Sequence, residues 1–90
     1  MKADRGSVSR LVRNAQGQLD AVLRMIEEDR YCMDVSTQLL AAQSLIKKAN
    51  REVLKGHLEH CVKEAMRSGD PEKMDAKIRE LMDAIDKMNR

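Results

Sequence analysis

The stretch that decides the fold runs from Asp34 to Arg67 and has the sequence DVSTQLLAAQSLIKKANREVLKGHLEHCVKEAMR. Its apolar residues recur at three- and four-residue steps, the period of one helix face, and no proline interrupts them. The main stripe and the leucines beside it are Val35, Leu39, Ala42, Ile46, Ala49, Val53, His57 and Cys61, flanked by Leu40, Leu45, Leu54 and Leu58. We therefore predict one helix of roughly 34 residues, about 50 Å long at 1.5 Å per residue.

Gly56 is the one glycine inside this long helix. A glycine in a helix interior costs about 1 kcal/mol relative to alanine. Its presence predicts either a close approach of another backbone segment or a slight bend at this position.

A helix is also predicted on the N-terminal side, from about Ser7 to Glu28. Its apolar face is formed by Val8, Leu11, Val12, Ala15, Leu19, Val22, Leu23 and Ile26. The pattern breaks over residues 29–33. We expect Asp34 to cap the long helix by accepting a hydrogen bond from a free backbone N–H.

The long helix is predicted to end at Ser68-Gly69-Asp70-Pro71. Glycine is favoured just past a helix end, Asp as the next N-cap and proline at the first helical position. A third helix therefore starts at Pro71. Its apolar face is Met74, Ile78, Leu81, Met82, Ile85 and Met88.

These helices predict an all-α subunit of three helices with a long central one. The 90 residues are enough for one domain, residues 1–90, and Tyr31 is the sole aromatic residue, so the core is aliphatic. Helices 1 and 3 can cover only part of the two-sided apolar surface of the central helix. We expect the rest to pack against the same helix of a second copy, in an antiparallel homodimer or higher oligomer with two-fold symmetry.

The two cysteines are expected to be reduced. No apolar run approaches the roughly 20 residues that span a bilayer, and the N-terminus leads into no signal-peptide core, so we expect a cytoplasmic protein. Thiols stay reduced in that compartment. Cys32 and Cys61 are then more naturally metal ligands or reactive groups than a disulfide, with inert buried cysteines as the alternative.

Three residues form a candidate metal site. His57 and Cys61 are four apart, so both side chains lie on one helix face, within chelating reach. Cys32 lies about 37 Å away along the helix, too far to join them within one chain. In an antiparallel pair of helices, however, Cys32 of one subunit falls beside His57 and Cys61 of the other. Two thiolates and an imidazole are a soft, low-coordinate set that favours Cu(I) over four-coordinate Zn(II); His60 is the weaker candidate for a fourth ligand.

The stretch from Arg10 to Val62 closely resembles the CsoR/RcnR family of metal-responsive repressors, and its copper-sensing branch in particular. The resemblance is carried by Arg10-Leu11-x-Arg13, Gly17-Gln18, Arg24-Met25-Ile26-Glu27, Tyr31-Cys32-x-Asp34-Val35, Gln38 and His57-Leu58-x-x-Cys61-Val62. One departure is Asn14, where an aliphatic residue is commoner.

The resemblance implies a disc-shaped tetramer built from antiparallel dimers. Such a protein binds operator DNA when metal-free and releases it on binding Cu(I), which derepresses copper-resistance genes. Cys32, His57 and Cys61 would be the ligands and Tyr31 an outer-shell residue. An outer-shell glutamate from the third helix is also implied, and the spacing leaves open whether Glu72, Glu80 or another residue fills this role.

The double-stranded operator is expected to be held by basic side chains, since no helix-turn-helix with a short glycine turn is evident. The net charge of +2 is too small to predict DNA binding, but the basic residues are clustered. Arg13 and Lys48 are the main candidates; the weaker ones are Arg10, Lys47, Arg51 and Lys55. The alternative is a solvated helix face.

Other functions would be accompanied by different residues at the candidate ligand positions or elsewhere in the chain. A persulfide or thiol sensor of this fold keeps both cysteines but lacks the histidine, whereas His57 is present here. Nickel and cobalt sensors add an N-terminal histidine, and formaldehyde sensors lack the second cysteine. A copper buffer without DNA binding would not need the basic clusters. We do not expect an enzyme, because no nucleophile stands at catalytic spacing from a base.

Overall fold

The computed structural model describes residues 1–89, and these residues are helical with no strand. Helix α1 spans Arg5–Glu27, α2 spans Cys32–Gly56, α3 spans Lys63–Arg67 and α4 spans Pro71–Met88. A π-helical segment, His57–Val62, lies between α2 and α3. The all-α prediction is confirmed. The predicted first and third helices are α1 and α4, and the predicted central helix corresponds to α2, the π segment and α3 together.

Helix α1 ends where the apolar pattern breaks. Asp29 has a left-handed backbone with φ of 53°. The N–H of Arg30 donates to the Met25 carbonyl at 3.0 Å, and the N–H of Asp29 donates to the Ile26 carbonyl at 3.1 Å. These two bonds form the Schellman pattern that satisfies carbonyls at a helix end, and aspartate is one of the few non-glycine residues that adopts this backbone routinely.

The predicted cap at Asp34 was wrong, because α2 begins two residues earlier, at Cys32. The N–H groups of Asp34 and Val35 both donate to the Tyr31 carbonyl, at 3.0 and 3.2 Å. Asp34 therefore lies in the first turn. A carboxylate there still interacts favourably with the positive end of the helix dipole.

The predicted stop before the last helix is confirmed. Gly69 has φ of 69°, and its N–H donates to the Met66 carbonyl at 3.2 Å. The Asp70 carboxylate accepts a hydrogen bond of 3.0 Å from the N–H of Glu72, and Pro71 occupies the first helical turn. The chain therefore ends one helix and starts the next within four residues.

The chain divides into two compact units. One unit comprises residues 6–50, which hold most of α1 and the first part of α2. Its buried residues are small: Ala15, Val22, Ala42 and Ala49. Only α1 and α2 are present in this unit, so the two helices bury these side chains against each other.

The second unit comprises residues 1–5 and the chain from Arg51 onward, in which the π segment, α3 and α4 pack on one another. Val62 and Ala65 are buried here, and so is Ala3 of the N-terminal segment. A Cβ placed on Gly56 would lie 2.5 Å from the Ala3 Cα. Gly56 therefore permits the close backbone approach that its position in the sequence predicted.

Large apolar side chains are left exposed on every long helix. Leu23 is 60% exposed on α1, Leu40 is 59% exposed on α2 and Met82 is 61% exposed on α4. Within residues 1–89 no large side chain is fully buried. An apolar surface of this kind on a small chain is typical of subunits that associate. None of the described helices combines the length and the apolar character that crossing a membrane requires.

Candidate metal centre

His57 and Cys61 lie on the π-helical segment, not on a regular α-helix. The backbone stays right-handed at Gly56, at the start of the segment, and at Lys63, after it. A π-helix closes its hydrogen bonds over five residues instead of four, so His57 and Cys61 share one widened turn. Apart from Gly56, which directly precedes the segment, no residue pattern predicts this widening.

Glu80 is the acidic residue that α4 places beside His57. Its Oε2 atom lies 3.3 Å from His57 Nε2, and the same oxygen lies 3.5 Å from Lys77 Nζ. Glu72, the other glutamate considered, is in the first turn of α4, where its N–H binds Asp70. The structure thus brings one of the two candidate glutamates to the histidine.

The environment of the imidazole fits a ligand to a metal. His57 Nε2 is shielded from solvent and has no hydrogen bond of acceptable geometry within residues 1–89, although Glu80 is near it. An imidazole that binds a metal through one nitrogen commonly donates its other N–H to a carboxylate, which fixes the ring orientation.

Cys61 is a free thiol, half-buried, and it lines a cavity with Lys73 and Lys77 of α4. Glu64 lines the same cavity, and the Lys77 ammonium lies 3.5 Å from the Glu80 carboxylate. His60 is exposed and lines other cavities, with Glu59 among its neighbours. His60 and Cys61 thus line different cavities.

Cys32 is the first residue of α2 and its thiol is free and exposed. It lines a cavity with Ile26, Val35 and Leu39. Tyr31, the expected outer-shell residue, precedes it and is 69% exposed. The full length of α2, 25 residues, separates Cys32 from His57 in the chain.

Within positions 1–89, no three His, Cys, Asp or Glu side chains are placed so that they could hold a metal ion together. His57 and Cys61 lie in one compact unit and Cys32 lies in the other.

The candidate DNA-binding residues are all exposed, and none of them forms an ion pair in the part of the chain that the structure describes. Arg10 and Arg13 lie three apart on α1, and so share a face. The α2 candidates are Lys47, Lys48, Arg51 and Lys55. Lys48, Arg51 and Lys55 recur at three- and four-residue steps, which places them along one side of that helix.

An all-helical chain that carries two thiols and an imidazole on its central helical region, together with exposed basic side chains, has the make-up of a metal-responsive regulator. Residues 4–87 match the family described as metal-sensitive transcriptional repressors, and the chain belongs to this family.

Relatives of known name support this membership. The chain is 44% identical over 81 residues to the "Copper-sensing transcriptional repressor CsoR" of Mycobacterium ulcerans (strain Agy99), an alignment that covers 90% of this chain and 66% of the relative. It is 32% identical over 87 residues to the protein of the same name from Bacillus subtilis (strain 168), covering 97% of this chain and 83% of the relative. The chain thus spans slightly less than two thirds of the mycobacterial protein.

A solved structure has the same fold. The crystal structure of the copper-sensing repressor CsoR with Cu(I) from Geobacillus thermodenitrificans NG80-2 matches with a TM-score of 0.80 and 31% identity, and the match covers 92% of this chain and 83% of that one.

Proposed function

We propose that this protein is a Cu(I)-responsive transcriptional repressor, which binds operator DNA when metal-free and releases it when Cu(I) binds, so that copper-resistance genes are derepressed. It would act in the cytoplasm, where the operator is. The observation that carries the proposal is the placement of His57: its imidazole shares one turn with Cys61, and its shielded Nε2 faces Glu80 at 3.3 Å. Membership of the repressor family and the copper-sensing relatives agree with it.

The donors are proposed to be Cys32, His57 and Cys61. Nε2 of His57 faces Glu80, which leaves Nδ1 as the nitrogen available to the metal. Two thiolates and one imidazole match the preference of Cu(I) for soft ligands.

The site is proposed to lie between subunits of a homodimer, within a homotetramer. The exposed apolar side chains of α1 and α2 supply a surface for the partner. Antiparallel pairing of two α2 helices would bring Cys32 of one subunit to His57 and Cys61 of the other. The dimer would then hold two equivalent sites.

The operator is proposed to bind the basic side chains of α1 and α2. Arg13 and Lys48 would contribute most, with Arg10, Lys47, Arg51 and Lys55 supporting them. Contacts of this kind are made mainly to phosphates, so they supply affinity more than sequence discrimination. Exposed cations without ion pairs are free to make them.

Copper can weaken DNA binding only if the metal and the operator prefer different arrangements of the subunits. Drawing Cys32 toward the donors of a partner would shift one α2 against the other and change the spacing of the basic residues. Such coupling is typically about 1–3 kcal/mol, equivalent to a change of about 5- to 150-fold in operator affinity.

The test is fluorescence anisotropy with DNA from the region upstream of this protein's own gene, at fixed salt, with and without Cu(I). We expect tight binding by the metal-free protein and at least a tenfold loss with one Cu(I) per subunit. His57→Ala should abolish most of this loss, whereas the matched variant His60→Ala should retain it. Operator binding that Cu(I) leaves unchanged would contradict the proposal.

Zn(II) and Ni(II) serve as the metal controls. A loss of affinity with either of them, and not with Cu(I), would assign the site to that metal. Release of DNA after treatment with peroxide or a polysulfide, either of which can oxidise two thiols, with a Cys32–Cys61 link between subunits in the mass spectrum, would favour the thiol-sensing alternative.

A further inference from the structure

The contact between α1 and α2 in residues 6–50 has a regular seam. On both helices a set of the less exposed positions recurs at steps of three and four, with Ser7, Ser9 and Ala21 of α1 outside the set. The set is Val8, Leu11, Ala15, Gln18, Val22 and Met25 on α1, and Val35, Gln38, Ala42, Leu45 and Ala49 on α2. This is the spacing of inner positions in two helices that pack side by side. The link of residues 28–31 is short, so the two helices run antiparallel.

One polar layer interrupts this seam. Nε2 of Gln38 donates a hydrogen bond to Oε1 of Gln18, and both side chains are half-buried. With Gln18 opposite Gln38, an antiparallel register brings Ala15 to the level of Ala42 and Val22 to the level of Val35. The two amides thus stand between an alanine layer and a valine layer.

Helix α1 has a second apolar stripe that competes with the seam. Val12, Leu19, Leu23 and Ile26 each follow a seam residue by one position, and they are 45%, 41%, 60% and 58% exposed. A rotation of α1 by about 100° would exchange this stripe for the seam. The rotation would bury the large side chains of this stripe but would also turn Ser9 and Gln16 inward, so hydrophobic burial alone does not decide between the two arrangements.

The amide pair opposes that rotation. In the rotated helix Leu19 would face Gln38, and both amides would lose their partner. A buried amide that loses its partner costs more than the bond contributes when made, so a single polar pair can select one packing over another. A polar residue at one inner position of a coiled coil sets register in the same way.

We propose that Gln18 and Gln38 are positioning residues, whose hydrogen bond selects the face and register at which α1 packs on α2. The pair keeps the large-residue stripe of α1 outward, where a second copy can cover it. It also fixes the direction of Arg10 and Arg13, which would move around α1 by the same angle. The consequence for operator binding rests on the proposed function; the packing itself does not.

The pair is tested with Gln18→Leu, Gln38→Leu and the double variant, with Gln43→Leu as control because Gln43 is an exposed glutamine of α2 outside the seam. Each single variant leaves one amide unpaired and should lower the folded-to-unfolded ratio about tenfold. The double variant removes both amides and should recover parental stability or exceed it. The control should stay close to the parent.

The decisive readout is the packing of the double variant, measured by methyl NOEs in protein labelled so that contacts within one chain are distinguished. The parent should give a Val22 to Val35 cross-peak. In the double variant a Leu23 to Val35 cross-peak should appear beside it, and operator affinity should fall at least tenfold although stability is kept. A purely structural role would not separate affinity from stability in this way.

The opposite result is equally clear. A double variant that keeps only the Val22 to Val35 contact and the parental operator affinity would overturn the proposal. If the parent itself fails to bind the upstream DNA, the proposed function fails, but the cross-peaks still decide whether the amide pair selects the packing. The variant Gln18→Glu keeps an acceptor for the Gln38 amide, so it should show only the parental Val22 to Val35 contact. The appearance of the Leu23 to Val35 contact in Gln18→Glu would also count against the pair.

Discussion

Substituting Gly56 by alanine should have two opposing effects on stability: a gain in helix propensity and a steric clash with the N-terminal segment. Alanine in place of a helical glycine gains about 1 kcal/mol of stability. At Gly56 the new Cβ would lie 2.5 Å from Cα and 2.8 Å from N of Ala3. These are backbone atoms, so the clash is relieved only by moving the N-terminal segment.

The cost of that movement can be set against the gain. Ala3 is 9% exposed, and exposing its methyl group costs about 0.8 kcal/mol, before the other contacts of the segment are counted. Gly56→Ala should therefore leave the free energy of unfolding nearly unchanged. Gly17→Ala is the matched control, because Gly17 is also helical but a Cβ there meets nothing within 4 Å. It should stabilise the protein by about 1 kcal/mol.

The assay is thermal unfolding of the metal-free proteins at one protein concentration, together with hydrogen exchange of residues 1–5. A difference of about 1 kcal/mol corresponds to about 4–8 °C in Tm for a chain of this size. Gly17→Ala should melt higher than Gly56→Ala by this amount, and only Gly56→Ala should lose protection in the N-terminal segment. Equal stabilisation by both substitutions, with the N-terminal amides still protected, would refute the reasoning.

Three further substitutions test the site and the fold. Glu80→Gln should keep one Cu(I) per subunit but reduce the copper-induced loss of operator affinity severalfold in anisotropy titrations, because it weakens the acceptor beside His57. The control Glu72→Gln should behave as the parent, and equal effects of the two substitutions would exclude the role given to Glu80. Arg13→Ala should weaken operator binding and reduce the slope of log affinity against log salt by about 1, and an unchanged slope would exclude a phosphate contact. Asp70→Ala should lower the free energy of unfolding by about 1 kcal/mol in urea titrations, since it removes the acceptor of the Glu72 N–H; no loss would show that this cap contributes nothing.

The sequence alone was sufficient for the features that depend on a few neighbouring residues. The stop at Gly69-Asp70-Pro71 was predictable because a left-handed glycine, an N-cap carboxylate and a proline each act within one turn. The same holds for the helical class, whereas the set of thiol and imidazole donors stays a prediction. The family also followed from local motifs, and its profile confirmed it over residues 4–87. The cap at Asp34 failed because a carboxylate in the first turn and one at the N-cap leave almost the same local pattern.

The tertiary structure decided the features that join residues distant in the chain. Glu80 instead of Glu72 lies beside His57 because α4 packs on the π segment, and the spacing within α4 does not reveal which of its turns makes that contact. The contact of Ala3 with Gly56 and the bond between Gln18 and Gln38 arise in the same way. Periodicity tells which residues share a helix face, but two apolar faces of α1 satisfy it equally well. Only the packing of whole helices, where each buried amide must find its partner, distinguishes them.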